Sequence, residues 1–383
     1  PLTGVDMSYA SKAFLSMAVA RWVREEGLGL DVCSGGELAI ALRAGSDASR
    51  LTFHGNNKSD AELSLAIEAG VGRIVIDSLE EIARVSDIAG ARGVRQRVLL
   101  RVTSGVEAHT HEFISTAHED QKFGISIATG EALEAIRRVE AAEALELDGL
   151  HSHIGSQIFD TNGFEVAARR VLALAKEGRD AIGRPLTHIV LGGGFGVMYT
   201  TQNTPRTVEQ LAEQLAAIVE NSCRTLELEI PRLGFEPGRA IAGPSTQTLY
   251  TVGTIKDVEL GADQKRLYVS IDGGMSDNIR TALYDADYSC LLSGRTSEVE
   301  PRIVRVVGKH CESGDIVVKD EYLPGDVKRG DLISVPVTGA YCYALASNYN
   351  SALKPAVVSV KDGEITEMIR RETIDDLLAR DLG

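Results

Sequence analysis

Long apolar runs are missing from this sequence of 383 residues. Nowhere do 18 apolar residues stand together, so no transmembrane helix is expected. The stretch Pro1 to Tyr9 has neither a basic start nor an apolar core of the kind a secretory leader needs, which points to a cytoplasmic protein. Cysteine is scarce: five residues, odd in number, scattered, and without a CxxC pair. A disulfide framework or a zinc ribbon is therefore not expected. Basic residues are too few for a polyanion binder. Lys plus Arg total 40 against 55 Asp plus Glu, a net charge of −15, which argues against nucleic acid and anionic membranes as partners. What is there is 44% hydrophobic, 25% charged and rich in glycine (38 residues), enough for one large domain or two ordinary ones. An enzyme acting on small molecules is the class that remains.

Short strand-like segments alternate with longer amphipathic ones through the first part of the chain. Strands are expected at Met7–Lys12, Gly29–Cys33, Leu51–Gly55, Arg73–Asp77, Arg97–Val102, Gly149–His153, His188–Gly192 and Arg232–Glu236. In the first helical stretch, Ala13–Glu26, residues Phe14, Ala18, Val19, Trp22 and Val23 fall on one face. Eight such units fit a (β/α)8 barrel better than an open Rossmann sheet. A polar insertion containing His109, His111 and His118 follows the fifth strand. After Gly243-Pro244 the texture turns to Val-, Ile- and Thr-rich strands broken by Gly and Asp, with a short terminal helix in Glu372–Leu382. The expected organisation is a barrel over residues 1–244 and a mostly β domain over 245–383.

Barrels of this kind carry their sites at the C-terminal ends of the strands. Read in order, those ends hold Lys12, Asp31, His54, Asp77, Arg101, His153, Gly192–Gly194 and Glu236. One such residue has a bland explanation; eight together make a site. Lys12 is either a solvated lysine at a strand exit or an inward amine desolvated for Schiff-base chemistry. The loops LGGGFG (191–196) and EPGR (236–239) close the last two strands, where this barrel usually binds phosphate. Glycines there let backbone N–H groups approach phosphate oxygens, and Arg239 adds charge. His151 and His153, two apart on a strand, point the same way and with His54 form an alternative metal set. That set leaves Lys12 and the glycine loops unexplained. In the second part, GKHCESGD (308–315) sets a cysteine beside a carboxylate in a glycine-flanked turn, and GAYCYALASNYN (339–350) clusters tyrosine and asparagine. Arg280 and Tyr284 share a face if their segment is helical, and an arginine there suits a carboxylate.

Taken together, YASKAF, LDVCSGGEL, HGNNKS, HEDQKFG, HSHIGSQ, LGGGFG, EPGRAIAGP, DGGMSDNIR, GKHCESGD and GAYCYA closely resemble the diaminopimelate decarboxylases. These are fold-type III enzymes of pyridoxal 5′-phosphate (PLP), with an alanine racemase-like barrel. The resemblance runs from about Tyr9 to RRETIDDLL near the C-terminus. It implies decarboxylation of meso-2,6-diaminopimelate to L-lysine and CO2, the last step of bacterial lysine biosynthesis. Carried over residue by residue, Lys12 matches the Schiff-base lysine and His153 the histidine on the pyridine face. Ser156, Gly194, Pro237, Gly238, Arg239 and Tyr341 match the phosphate cradle. Glu236 matches the acid at the pyridine nitrogen, which favours a decarboxylase over the racemase branch, where an arginine stands. Arg239, Arg280, Tyr284, Glu312 and Tyr341 match substrate contacts. Cys311 matches a proton donor supplied by the partner subunit of a homodimer. The family carries a substantial segment ahead of the lysine strand, whereas eleven residues precede Lys12 here. Decarboxylases of ornithine, lysine or arginine, and a regulatory member without cofactor chemistry, are the alternatives. Cys33 and Cys311 are expected as free thiols, with mild oxidation linking them across two subunits as the other possibility.

Overall fold

The computed structural model describes residues 4–106, 122–261 and 264–383. His109, His111 and His118 lie outside the described residues. Two compact units are present. The first comprises residues 1–196 and 205–240, the second residues 197–204 and 241–383.

In the first unit, nine parallel strands form one sheet: β1 (Asp6–Ala10), β2 (Gly29–Val32), β3 (Leu51–Phe53), β4 (Arg73–Ile76), β5 (Gln96–Thr103), β6 (Ile125–Ser126), β7 (Leu145–His151), β8 (His188–Val190) and β9 (Arg232–Phe235). Their order is β4-β3-β2-β1-β9-β8-β7-β5-β6, and an added β4–β5 pairing closes eight of them into the expected barrel. The two-residue β6 hangs from the end of β5. All eight expected strands are present, but most stop one or two residues sooner than the sequence suggests. Lys12, for example, stands in a 3-10 turn, Ser11–Ala13, rather than on β1. The first helix, α1 (Met17–Glu25), starts later than expected, after a Ser16 cap. Ala20 and Val23 are buried, as expected for Val23, whereas Trp22 is 44% exposed, against the expectation of a buried face.

A repeated capping device joins strands to helices. Ser34, Ser59 and Ser78 cap α2 (Gly35–Arg43), α3 (Asp60–Glu68) and α4 (Leu79–Ala91), each accepting from the backbone N–H of a glutamate three residues on. A serine at the cap satisfies one of the orphan N–H groups of the first turn. It also throws the glutamate carboxylate back toward the preceding loop. Glu37 accepts from Cys33 N (2.7 Å) and Ser11 Oγ (2.8 Å), and Glu81 from Asp77 N (2.8 Å). Glu81 also pairs with fully buried Lys58 at 2.9 Å. The strand ends that carry the site are thus tied down by the helices that follow them.

At the opposite end of the barrel, Asp148 of β7 meets Arg73 Nε (2.6 Å), Arg97 Nη2 (2.5 Å) and His188 Nδ1 (3.0 Å). Burial would raise its carboxyl, but these donors hold it well below the usual carboxylate range.

The second unit holds a six-stranded sheet of β10 (Gln247–Gly261), β11 (Gln264–Ile271), β12 (Leu291–Ser293), β13 (Pro301–Val307), β14 (Ile316–Pro324) and β15 (Leu332–Pro336) in the order β12-β15-β10-β11-β13-β14. A separate hairpin pairs β16 (Val357–Lys361) with β17 (Glu364–Ile369). The sequence reading missed β12 and β17. Among the described residues, no helix is long and apolar enough to cross a membrane.

Candidate active site

Within the barrel unit, the loops after β1, β2, β3, β7, β8 and β9 converge. Lys12 is exposed there, although Ser11 and Ala13 of the same 3-10 turn are buried, and the desolvated amine expected for Schiff-base chemistry is not found. Its charge is felt by Asp31 and His153. Burial, reinforced by Lys12 and Arg101, holds His153 well below the usual imidazole value, so this ring is neutral. Gly193 N approaches His153 Nδ1 at 3.4 Å.

Glu236 is the centre of a buried cluster. Its Oε2 lies 2.9 Å from His151 Nε2 and its Oε1 3.2 Å from His54 Nε2. The second contact is close but poorly aligned, and His54 Nε2 has no hydrogen bond of good geometry. The same nitrogen lies 3.8 Å from Asp31 Oδ1. Burial works against the Glu236 carboxylate, yet the two imidazoles hold it well below its usual range. The histidine set considered for a metal is not assembled. Among the described residues the group close enough to share an ion is His54, His151 and Glu236, with His153 outside it, and its imidazole nitrogens face the carboxylate oxygens.

Beside this cluster the loops approach one another too closely for side chains. Gly194 has φ +95°, and a Cβ there would meet Gly155 O at 2.2 Å. A Cβ on Gly238 would press on Ala10 O at 3.0 Å and on Ala13. Pro237 O accepts from Ala10 N at 3.1 Å, which fixes the β9 loop against β1. Arg239, 6% exposed, donates through Nη2 to Ser156 Oγ at 2.9 Å. A fixed cationic donor, a hydroxyl and bare backbone beside Lys12 form an anion cradle.

The second unit holds the remaining candidates. Arg280 and Tyr284 bracket a one-turn helix, α9 (Arg280–Tyr284), as expected. Arg280 is buried. Its Nη1 donates to Tyr288 OH at 2.6 Å, its guanidinium lies 4.7 Å from the Tyr199 ring centre, and its Nε has no hydrogen-bond partner. Among the described residues no carboxylate pairs with it. The GKHCESGD turn is gripped by Asp315, whose oxygens accept from Met275 N (2.6 Å) and His310 N (2.8 Å). His310 in turn meets Ser276 Oγ at 2.8 Å and Asn350 Oδ1 at 3.2 Å, and Asn350 Oδ1 accepts from Cys311 N at 3.3 Å. The turn's backbone is held while Cys311 and Glu312 are exposed. Tyr341, half-buried, adopts φ +62°, an uncommon conformation for a bulky residue.

Three comparisons bear on this arrangement. The family described as pyridoxal-dependent decarboxylase, pyridoxal binding domain, matches residues 2–243. A diaminopimelate decarboxylase of Mycobacterium tuberculosis is 56% identical over 384 residues, covering 98% of this chain and 85% of the relative. The chain belongs to the diaminopimelate decarboxylase family. Solved structures of the family agree. That of M. jannaschii in complex with L-lysine has a TM-score of 0.91 at 31% identity, covering 99% of this chain and 85% of its own. That of Helicobacter pylori, also with L-lysine, has a TM-score of 0.88 at 30% identity, covering 98% and 90%. Family members are PLP-dependent carboxy-lyases on an alanine racemase-like barrel. The residues here fit that cofactor. The cradle of Gly194, Gly238, Ser156 and Arg239 suits a phosphate. The cluster of Asp31, Glu236 and one protonatable imidazole between them suits a basic ring nitrogen.

Sequence reading marked Asp31 and His54 only as strand ends and left His151 a structural residue. The structure joins all three to Glu236. It also missed Tyr199 and Tyr288 around Arg280, and Ser276 and Asp315 beneath Cys311. The Ser-x-x-Glu spacing after three successive strands was a legible signal of how the loops are fixed.

Proposed function

We propose that this chain decarboxylates meso-2,6-diaminopimelate to L-lysine and CO2, the closing step of bacterial lysine biosynthesis, in the cytoplasm. The observation that carries the reading is the convergence of Lys12, His153, Glu236 and the glycine cradle at one end of the barrel, in a chain of this family. Five free cysteines accord with a reducing compartment.

Lys12 would hold the cofactor through its amine. Gly194, Gly238, Ser156 and Arg239, with Pro237 fixing the turn, would hold the phosphate. Neutral His153 would serve the ring face, where a second positive charge would oppose a protonated ring nitrogen. Glu236 would offer a carboxylate to that nitrogen. When bound, PLP withdraws electrons from the substrate's α-carbon, so that the bond to the departing carboxylate can break. Cys311 would supply the proton that takes the place of the departed carboxylate. The distal end of the substrate carries a second carboxylate and ammonium. Arg280, a buried cation among tyrosines whose Nε has no hydrogen-bond partner, suits the carboxylate; Glu312 suits the ammonium, and Tyr284 and Arg239 are the other expected substrate contacts.

Release of CO2 tests the reaction. The rate with meso-diaminopimelate should exceed that with ornithine, lysine or arginine by at least roughly a hundredfold; comparable rates with ornithine overturn the assignment.

We further infer a two-fold homodimer in which Cys311 serves the partner's barrel. The display of Cys311 and Glu312 on a clamped turn supports this. Lys12→Ala and Cys311→Ala dimers are each expected to be nearly inactive. After random exchange in equal amounts, activity should return to roughly a quarter of wild type, because each hybrid keeps one intact site. No recovery, with exchange shown by mass spectrometry, excludes the shared site.

A further inference from the structure

Glu236 is proposed to act as a fixed negative charge, yet it shares its burial with a second acid. Asp31 is 7% exposed, and its Oδ1 has no hydrogen-bond partner. Two carboxylates this close in a dry site oppose each other's ionisation unless a cation stands between them. The group in that position is His54. It follows β3, its backbone N donates to Val32 O at 2.8 Å, and its Nε2 sits 3.2 Å from Glu236 Oε1 and 3.8 Å from Asp31 Oδ1. His151 meets the other oxygen of Glu236, and its ring is edge-on to His54 at 4.9 Å between centres. It faces one carboxylate rather than two. Two neighbouring imidazoles repel if both are charged, so the geometry separates their roles.

We propose that His54 is a positioning residue of this site: a buried imidazolium bridging Asp31 and Glu236, which keeps Glu236 ionised and aimed for the cofactor's ring nitrogen, while neutral His151 donates a hydrogen bond to the same carboxylate. The proposal rests on the reading of Glu236 as the partner of that nitrogen.

The electrostatics of the cluster agree. Burial alone would lower His54, but Glu236 and Asp31 outweigh it and raise it to about 9. Burial takes His151 down to about 4, with His54 and Arg101 adding to the effect against Glu236. Asp31 is pushed up to about 7 by burial and Glu236, with His54 and Lys12 opposing. The other charges facing the cluster are Lys12 after β1 and Arg101 of β5, the latter 3.8 Å from Asp77. With His54 charged and both acids ionised, these three groups carry one net negative charge. A protonated ring nitrogen would neutralise it.

The consequence appears on the alkaline side. As pH rises through about 9, His54 loses its proton and Glu236 its counter-charge. Nitrogen NMR of the PLP-loaded enzyme labelled at histidine reads the proton directly. An ordinary histidine is almost wholly neutral at pH 8, whereas the His54 imidazolium should persist there and titrate near 9. It should vanish in His54→Gln and survive in His151→Asn. His188, which also touches two acids, is assigned by His188→Gln. The visible band of bound cofactor should show the same alkaline transition, absent in His54→Gln. In that variant kcat should fall by roughly 10–100-fold, the cost typical of removing an outer partner that orients a functional group, with KM little changed. If wild type shows no imidazolium at pH 8, or only signals that His188→Gln removes, the proposal fails whether or not the His54 variant folds. Glu236→Gln separates the two ideas. If it leaves the band unmoved, the reading of Glu236 fails. If it moves the band while His54→Gln keeps both the imidazolium and the wild-type titration, the role of His54 alone is overturned.

Discussion

Glu236→Gln is expected to leave the cofactor bound and to cut turnover sharply. The cradle residues are untouched, whereas the amide offers no charge to the ring nitrogen. Equilibrium dialysis of PLP and a kcat measurement separate the two effects, and a near-normal kcat would show that an ionised group is not needed. Arg280→Ala should weaken binding of meso-diaminopimelate by about 2–5 kcal/mol, the usual loss on truncating one partner of a buried charge pair, and should weaken L-lysine much less. Equal losses in calorimetry would make Arg280 a packing residue of its tyrosine cage. Cys33 belongs to the same scale. It donates to Glu37 Oε2 at 3.2 Å, and desolvation together with that carboxylate pushes its thiol up to about 12. A group so poorly ionised is a slow partner for disulfide formation.

Loops and their anchors set the next scale. Gly194→Ala is expected to cost at least tenfold in PLP affinity, because φ +95° and a 2.2 Å approach to Gly155 O force the cradle apart; unaltered fluorescence titration by PLP would count against the cradle. In the second unit, Asp315→Ala strands two backbone N–H groups under Cys311 and should cost about 2–4 kcal/mol in urea unfolding. Barrel strands were legible in sequence because each is a short apolar run that ends in a polar or glycine signal. The exact strand ends were not, since serine caps and glutamate tethers, rather than strand propensity, decide where pairing stops. Trp22 shows a related limit: periodicity names an apolar face, but which part of it packs inward is set by neighbours that lie far away in sequence. Leu291–Ser293 was missed for another reason. Three residues carry no periodicity, and only pairing with Leu332–Ser334 makes them a strand. The site was legible residue by residue, but the link between His54, Asp31, His151 and Glu236 was not, because sequence order does not say which strand ends face each other.

At the scale of the molecule, the barrel keeps its chemistry and its strongest ion network at opposite strand ends. Asp148 is held below its ordinary carboxylate value in the fold. Its contribution is therefore fully present above the unfolded value near 4 and is lost as pH falls below it. Asp148→Asn should lower stability by about 3 kcal/mol at neutral pH and flatten the acid limb of a melting-temperature profile. An acid limb identical to wild type would place the acid sensitivity elsewhere.

Residues 197–204 belong to the second unit although the first unit flanks them on both sides in sequence. The chain thus passes between the units three times, and neither can be cut out as one uninterrupted stretch. Tyr199 travels in that excursion. Its ring faces Arg280, and its carbonyl accepts from Ser289 Oγ at 3.3 Å. A fragment of residues 241–383 made alone would lack one wall of the arginine cage and leave a guanidinium with fewer neighbours than it was built for. Grafting or swapping the β domain between relatives therefore requires carrying this short loop of the barrel half along with it.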